Sequence, residues 1–359
     1  MKRLIMSNEY FSDSTLVKAP PIKRAAYSDR TAWIMAELSR LVYDTLPCEQ
    51  KIEDLFAEIT ASVKSGESKD TVQALIKKAL QKDSASSVQG IEQALHKANF
   101  ELLECYSEGG TEAFLAKLSS KDNFDGMLIL AFRGTQPSIK DVHTDVKMDL
   151  IPAPQGGQVH KGFLEAYNLV AQQISTFLQK DDSGLPVYIT GHSLGGALAM
   201  VATRYLESDS VGATYTYGCP RVADDEFYAK IKTPVYRIVN AADIVPRVPL
   251  GYSITIVLNL IRLIPFNGTR WLSEWLRKHV VGYTHYGTLV FLSAAPNVAD
   301  DQGVLYKGLK VKQSPDFFWR MSVVVPRWVN TLGKAGANDH RIFEYSQKLL
   351  AYAQRRNRL

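Results

Sequence analysis

Gly191-His192-Ser193-Leu194-Gly195-Gly196 sets one hydroxyl between glycines in a G-x-S-x-G pattern. A serine hydroxyl is a weak nucleophile. It attacks a carbonyl only when a base removes its proton and hydrogen-bond donors receive the oxyanion. The apolar, β-branched run Val187–Thr190 precedes the motif and the helix-forming Ala197-Leu198-Ala199-Met200 follows it. That order, strand then sharp turn then helix, is the setting of a nucleophile elbow. The strained turn lifts Ser193 off the sheet, Gly191 and Gly195 remove side chains that would collide across it, His192 lies inside it, and Leu194 offers a backbone N–H to an oxyanion. The bare pattern recurs by chance in unrelated chains, so the flanking elements carry this reading.

The base and its orienting acid come after the serine in this arrangement, at the carboxyl ends of strands. Asp243 follows the apolar run Val235–Val239 through Asn240-Ala241-Ala242 and precedes Ile244-Val245-Pro246. Asp224 and Asp225 also follow a strand-like run but open a short helical stretch, where capping accounts for them. Three histidines follow Asp243. His285 stands before the run Thr288–Leu292, at the amino end of a strand, and His279 reads as exposed or structural. His340 follows the loop Gly333–Asp339 and opens a terminal helix, which makes it the better-placed base, with His285 the alternative. Arg133-Gly134-Thr135 ends the strand Met127–Phe132, so Thr135 is the candidate for the second oxyanion donor beside Leu194.

These residues need a mainly parallel sheet flanked by helices. Apolar runs at 127–132, 187–190, 213–217, 235–239 and 288–292 alternate with helical patterns at 163–179, 194–207 and 341–355, as in an α/β fold. Ser28 caps a further amphipathic helix carrying Ile34, Leu38, Leu41 and Val42, stopped by Pro47. We expect one domain over 1–359 with three additions: an N-terminal arm (1–27), a helical insertion (49–98) and an apolar, basic insertion (252–282). In the last, Trp271 and Trp275 lie one helical turn apart beside Arg270, Arg277 and Lys278. That mixture suits contact with lipid or an acyl-binding wall, though packing into the protein's own core explains it equally well.

Bulk composition narrows the partners. The chain has 359 residues and a formal net charge of +5, with no dense basic stripe, which excludes nucleic-acid binding as a first reading. Cys48, Cys105 and Cys219 lack metal-ligand or disulfide-framework spacing and read as buried free thiols. Neither metal nor organic cofactor is called for. The start MKRLIM is too short for a signal-peptide apolar region, and Ile254–Ile264 is too short and interrupted to span a bilayer. The expected location is therefore cytoplasmic or membrane-peripheral, with non-Sec export open.

Five blocks in order resemble the class 3 lipases, the fungal-type triacylglycerol lipase family of α/β-hydrolases. They are Ala131–Thr135, Val159–Phe163, Thr190–Ala199, Tyr217–Val222 and Asn240–Pro246, and the likeness extends over roughly 100–345. The resemblance implies a Ser193–Asp243–His340 triad, Thr135 and Leu194 as oxyanion donors, and lipid esters as substrates. It also places a lid after Thr135, where Pro137, Ile139 and Val142 are the candidate lid residues among several charges. Phospholipase A and short-chain carboxylesterase activity share the same machinery. A catalytically silent lipid-binding protein would be marked by a missing triad member, and none is missing.

Overall fold

The computed structural model describes residues 10–17, 26–45, 89–120, 126–134, 149–206, 211–248, 282–298 and 305–357. Eight strands form one sheet in the order β1 (Phe100–Glu108), β2 (Thr111–Leu118), β3 (Met127–Phe132), β6 (Val187–His192), β7 (Val211–Tyr217), β8 (Val235–Asn240), β9 (Thr288–Leu292) and β10 (Val311–Gln313). The central pairs from β3 to β9 are parallel, while β1–β2, β2–β3 and β9–β10 are antiparallel. A small two-stranded ribbon, β4 (Leu150–Pro152) with β5 (Gln158–His160), stands apart.

Burial on both faces explains why β3 and β6 are almost continuously apolar instead of alternating. One face is covered by α2 (Lys161–Lys180) and α3 (Leu194–Tyr205), whose apolar sides meet Leu128, Leu130, Phe132 and Ile189. The other is covered by α1 (Asp29–Thr45) and α7 (Ile342–Asn357), which meet Ile129, Tyr217, Ile238 and Leu292. This is the α/β architecture expected from the alternating pattern, with the mainly parallel sheet and flanking helices that the resemblance implied. Two short helices complete it, α4 (Asp225–Tyr228) and α6 (Ala335–Asn338), together with the longer α5 (Phe317–Asn330).

Several elements depart from expectation. Helix α1 was expected to keep a polar face in water, yet residues 31–43 are all buried, Glu37 and Arg40 included. Those two charges pair with each other, and Glu37 also accepts from Phe11 N (2.9 Å) and the Ser346 hydroxyl. Tyr10 lies under the Arg40 guanidinium, 3.8 Å from ring centroid to Cζ, so the 10–17 part of the arm covers α1. Strands β1 and β2 and helix α5 had no counterpart in the sequence reading. Cys219 is buried as expected, Cys105 only half-buried, and Cys48 lies outside the described residues. Most of the 49–98 and 252–282 segments lies outside them too. No helix among the described residues is long and apolar enough to cross a membrane.

Candidate active site

Ser193 sits between β6 and α3 with φ +56° and ψ −124°, a left-handed backbone that a non-glycine residue adopts only under constraint. Two contacts impose it. Ser193 N donates to Tyr217 O (2.9 Å) on β7, and Ala197 N donates back to Ser193 O (3.2 Å). Gly195 makes the turn fit, because a Cβ there would lie 2.8 Å from the Arg133 carbonyl carbon. The same close approach brings the end of β3 against the elbow. Ser193 is 3% exposed.

His340 Nε2 lies 3.0 Å from Ser193 Oγ, and its Nδ1 lies 3.0 and 3.1 Å from the two carboxylate oxygens of Asp243. The structure thus brings together three side chains from the β6 turn, the loop after β8 and the turn before α7. Since the Asp243 carboxylate accepts at Nδ1, that nitrogen carries the proton and Nε2 is free to accept from the serine. Asp243 is fully buried, and Val245 N (2.9 Å) and the Tyr345 hydroxyl (2.5 Å) also donate to it. Tyr345 Oη in turn accepts from Asn240 N at 3.0 Å. Burial, and then the Asp243 charge, drive the Tyr345 pKa far up, so the phenol stays a donor.

A further set of contacts fixes the loops that carry acid and base. Asp339 receives a bidentate Arg327 fork at 2.5 and 2.9 Å and Ala242 N at 3.0 Å, while its carbonyl accepts from Asn240 Nδ2 at 2.9 Å. Buried Lys348 donates to Asn240 Oδ1 (2.7 Å) and Ser293 O (3.1 Å). Burial lowers its pKa to about 8. The stretch 333–339, expected as a flexible loop, is instead closed by helix α6 and clamped by Arg327. His192 Nε2 donates to His340 O (2.6 Å), which leaves Nδ1 to accept from the Tyr43 hydroxyl (3.0 Å). Burial first, and the neighbouring His340 second, hold His192 neutral by lowering its pKa well below 6.5.

Leu194, as the first residue of α3, has no intrahelical acceptor for its N–H, which suits an oxyanion donor. Thr135 lies outside the described residues, as do Pro137, Ile139, Val142, Trp271, Trp275 and His279. Gly134, just after β3, packs so closely on the elbow that a Cβ added there would lie 2.6 Å from His192 O. The alternative base His285 is elsewhere, donating from Nε2 to Pro246 O at 2.6 Å. Asp224 caps α4 through Phe227 N at 2.8 Å, as its position implied.

Residues 129–253, from β3 to just beyond Asp243, match the family model described as lipase (class 3). This stretch is similar to the class 3 lipases. The chain is 35% identical over 153 residues to a secreted mono- and diacylglycerol lipase of Fusarium solani, covering 39% of this chain and 44% of that protein. It is 33% identical over 153 residues to a lipase of Rhizomucor miehei, covering 39% and 41%. A solved structure, lipase II from Rhizopus niveus, aligns with 20% identity and a TM-score of 0.44, covering 62% of this chain and 73% of that one. The chain spans less than half the length of the curated relatives it matches.

Proposed function

We propose that this chain hydrolyses carboxylic esters of lipids, acylglycerols first, through an acyl-enzyme on Ser193. The observation that carries the reading is the continuous line from Ser193 Oγ through His340 to Asp243, with contacts of 3.0 Å on both sides of the imidazole. His340 Nε2 takes the serine proton as Oγ attacks the ester carbonyl, and Asp243 stabilises the imidazolium that forms. Leu194 N–H and the expected donor Thr135 receive the oxyanion. The imidazolium then protonates the departing alcohol. A water molecule, deprotonated by the same nitrogen, releases the fatty acid. The names of the relatives, which act on mono-, di- and triacylglycerols, favour acylglycerols as the substrate class.

Purified protein is expected to hydrolyse p-nitrophenyl esters and emulsified acylglycerols and to react with a fluorophosphonate probe. Ser193→Ala should lower turnover by about 10⁴-fold or more and abolish labelling. Full activity in that variant would refute the mechanism. A panel of ester chain lengths, with and without an interface, separates acylglycerol hydrolysis from simple esterase action.

A further inference from the structure

Beside the triad, between β8, β9 and α5, lies a cavity of about 180 Å³ lined by Arg221, Arg237, Arg247, Arg320 and His285. Guanidinium groups gathered around one small space repel one another unless an anion joins them. Arg221 donates from Nη1 to Arg247 O at 2.6 Å and the Asp243 charge favours Arg247, which leaves Arg237 and Arg320 as the groups that an anion would join. Among the described residues no carboxylate forms an ion pair with Arg237, Arg247 or Arg320. The Nε atoms of Arg237 and Arg320 are buried with no hydrogen-bond partner. The pKa of Arg237 falls to about 10, through burial first and then the charges of Arg221 and Arg320. His285 is pushed well below 6.5, mainly by burial and then by Arg237 and Arg221, so it adds no further charge at neutral pH. Such a space is too small for an acylglycerol, since ligand pockets of that kind occupy roughly 300 Å³ or more. A single phosphoryl group fits its size and charge.

The cavity is not isolated from the surface. Phe317, one of its lining residues, is 59% exposed and begins α5. Helix α5 turns Trp319 and Val324 inward, against Phe291 and Val239, and leaves its other side bare. On and just beyond it, Phe318 is 81% exposed, Val329 60%, Trp328 54% and Leu332 90%. Between Phe317 and Asn338 there is no acidic residue, while Arg320 and Lys334 supply positive charge beyond the Arg327–Asp339 pair. A large apolar face with cationic groups at its side is the pattern of a helix lying in a membrane interface.

We propose that the outer face of α5 rests on an anionic phospholipid surface and that the arginine cavity takes the phosphate of one lipid headgroup. The proposal rests on the lipid-ester reading above. Arg247 links the two sites, because its Nε donates to Asp243 O at 3.2 Å. A headgroup phosphate held by the cluster would thus be seated against the loop that carries the acid.

The test is vesicle flotation of the full chain carrying Ser193→Ala, so that no lipid is consumed. Phosphatidylcholine vesicles are compared with phosphatidylcholine containing phosphatidylglycerol, and inorganic phosphate is added as a competitor. Recovery on the anionic vesicles should exceed that on the neutral ones several-fold. Arg320→Gln should reduce it about fivefold, the worth of one basic side chain at such a surface. Phe318→Ser with Leu332→Ser, both on exposed positions, should bring recovery to the level of neutral vesicles. Near-UV circular dichroism verifies native packing in each variant. Equal recovery on both vesicle types, or wild-type recovery of the Phe318/Leu332 variant, would overturn the proposal. So would phosphate raising the melting temperature of a protein that shows no preference between vesicles, which would mark a free-anion site only. Flotation with no esterase activity in the Ser193 protein would instead remove the hydrolase reading and leave the surface standing.

Discussion

Gly218→Ala tests whether the geometry of the acid–base pair, and not merely the presence of its members, sets the rate. Gly218 follows β7 with φ +55°, and a Cβ built on it would stand 2.8 Å from Asp243 Oδ2 and 2.9 Å from His340 Nδ1. Ordinary contact begins at 3.4 Å, so the carboxylate and the imidazole would have to move by about 0.6 Å. Neither is the free end of a flexible chain, since Asp243 is also held by Val245 N and Tyr345 and His340 by the clamped turn before α7. A left-handed alanine costs about 1–2 kcal/mol in stability. Displacing a catalytic group by about 1 Å costs on the order of 100-fold in rate. The expected result is a 10- to 100-fold loss of kcat on a soluble p-nitrophenyl ester, little change in KM, and a melting temperature only a few degrees lower. Gly110→Ala is the matched control, because Gly110 has φ +82° with nothing within 4 Å of its Cβ position. It should lose similar stability and keep its kcat. Wild-type kcat in Gly218→Ala, or equal loss in both variants, would refute the argument.

Arg327→Ala strips the bidentate partner from Asp339, whose side chain is 3% exposed. It should cost about 3 kcal/mol in a denaturant melt, the low end for a buried pair because Arg327 keeps 29% exposure. Tyr345→Phe leaves Asn240 N–H without its acceptor and removes one donor from Asp243. About 2 kcal/mol of stability and roughly tenfold in kcat should go, read by melting and by steady-state kinetics. Lys348 titrates at about 8 in the fold against 10.5 when free, so the unfolded chain holds more protons between those values and stability rises with pH across that window. Lys348→Met should flatten that rise in melts recorded from pH 8 to 10.5.

What could be read from the sequence follows from range. The elbow was legible because Val187–Thr190, the glycines and Ala197–Met200 are contiguous, and strand and helix periodicity act over a few residues. Ser193, Asp243 and His340 could be placed because chain order and strand ends restrict them, and the structure sets them within hydrogen-bonding distance. Tyr345, Lys348 and Arg327 carried no such signal. Their partners Asp243, Asn240 and Asp339 are chosen by how α5 and α7 pack, not by spacing. The β1–β2 hairpin did have a local mark, Gly109-Gly110, but the sequence reading assigned no element between the 49–98 insertion and the strand at 127–132. Helix α5 was hidden by Val323-Val324-Val325 and by Pro326, which read as strand and breaker although Asp316 caps the helix through Trp319 N at 2.8 Å. Helix α1 misled in the other direction. Its polar positions suggest a wet face, but Glu37 and Arg40 satisfy each other and the arm covers them.

The packing of α1 against α7 also governs when this protein can become active. Glu37 meets Ser346 across 309 residues of chain, and Ser193 meets His340 across 147. Contacts this distant close late, after the local hairpins and helices have formed. During synthesis the serine, its turn and the parallel strands through β8 emerge well before the base and the helix that seats it. The nascent chain therefore carries a nucleophile with no proton acceptor, and α1 waits with one side of its apolar surface bare until α7 arrives. Seating of α7 therefore does two things in one event: it brings His340 to the serine and covers the bare side of α1.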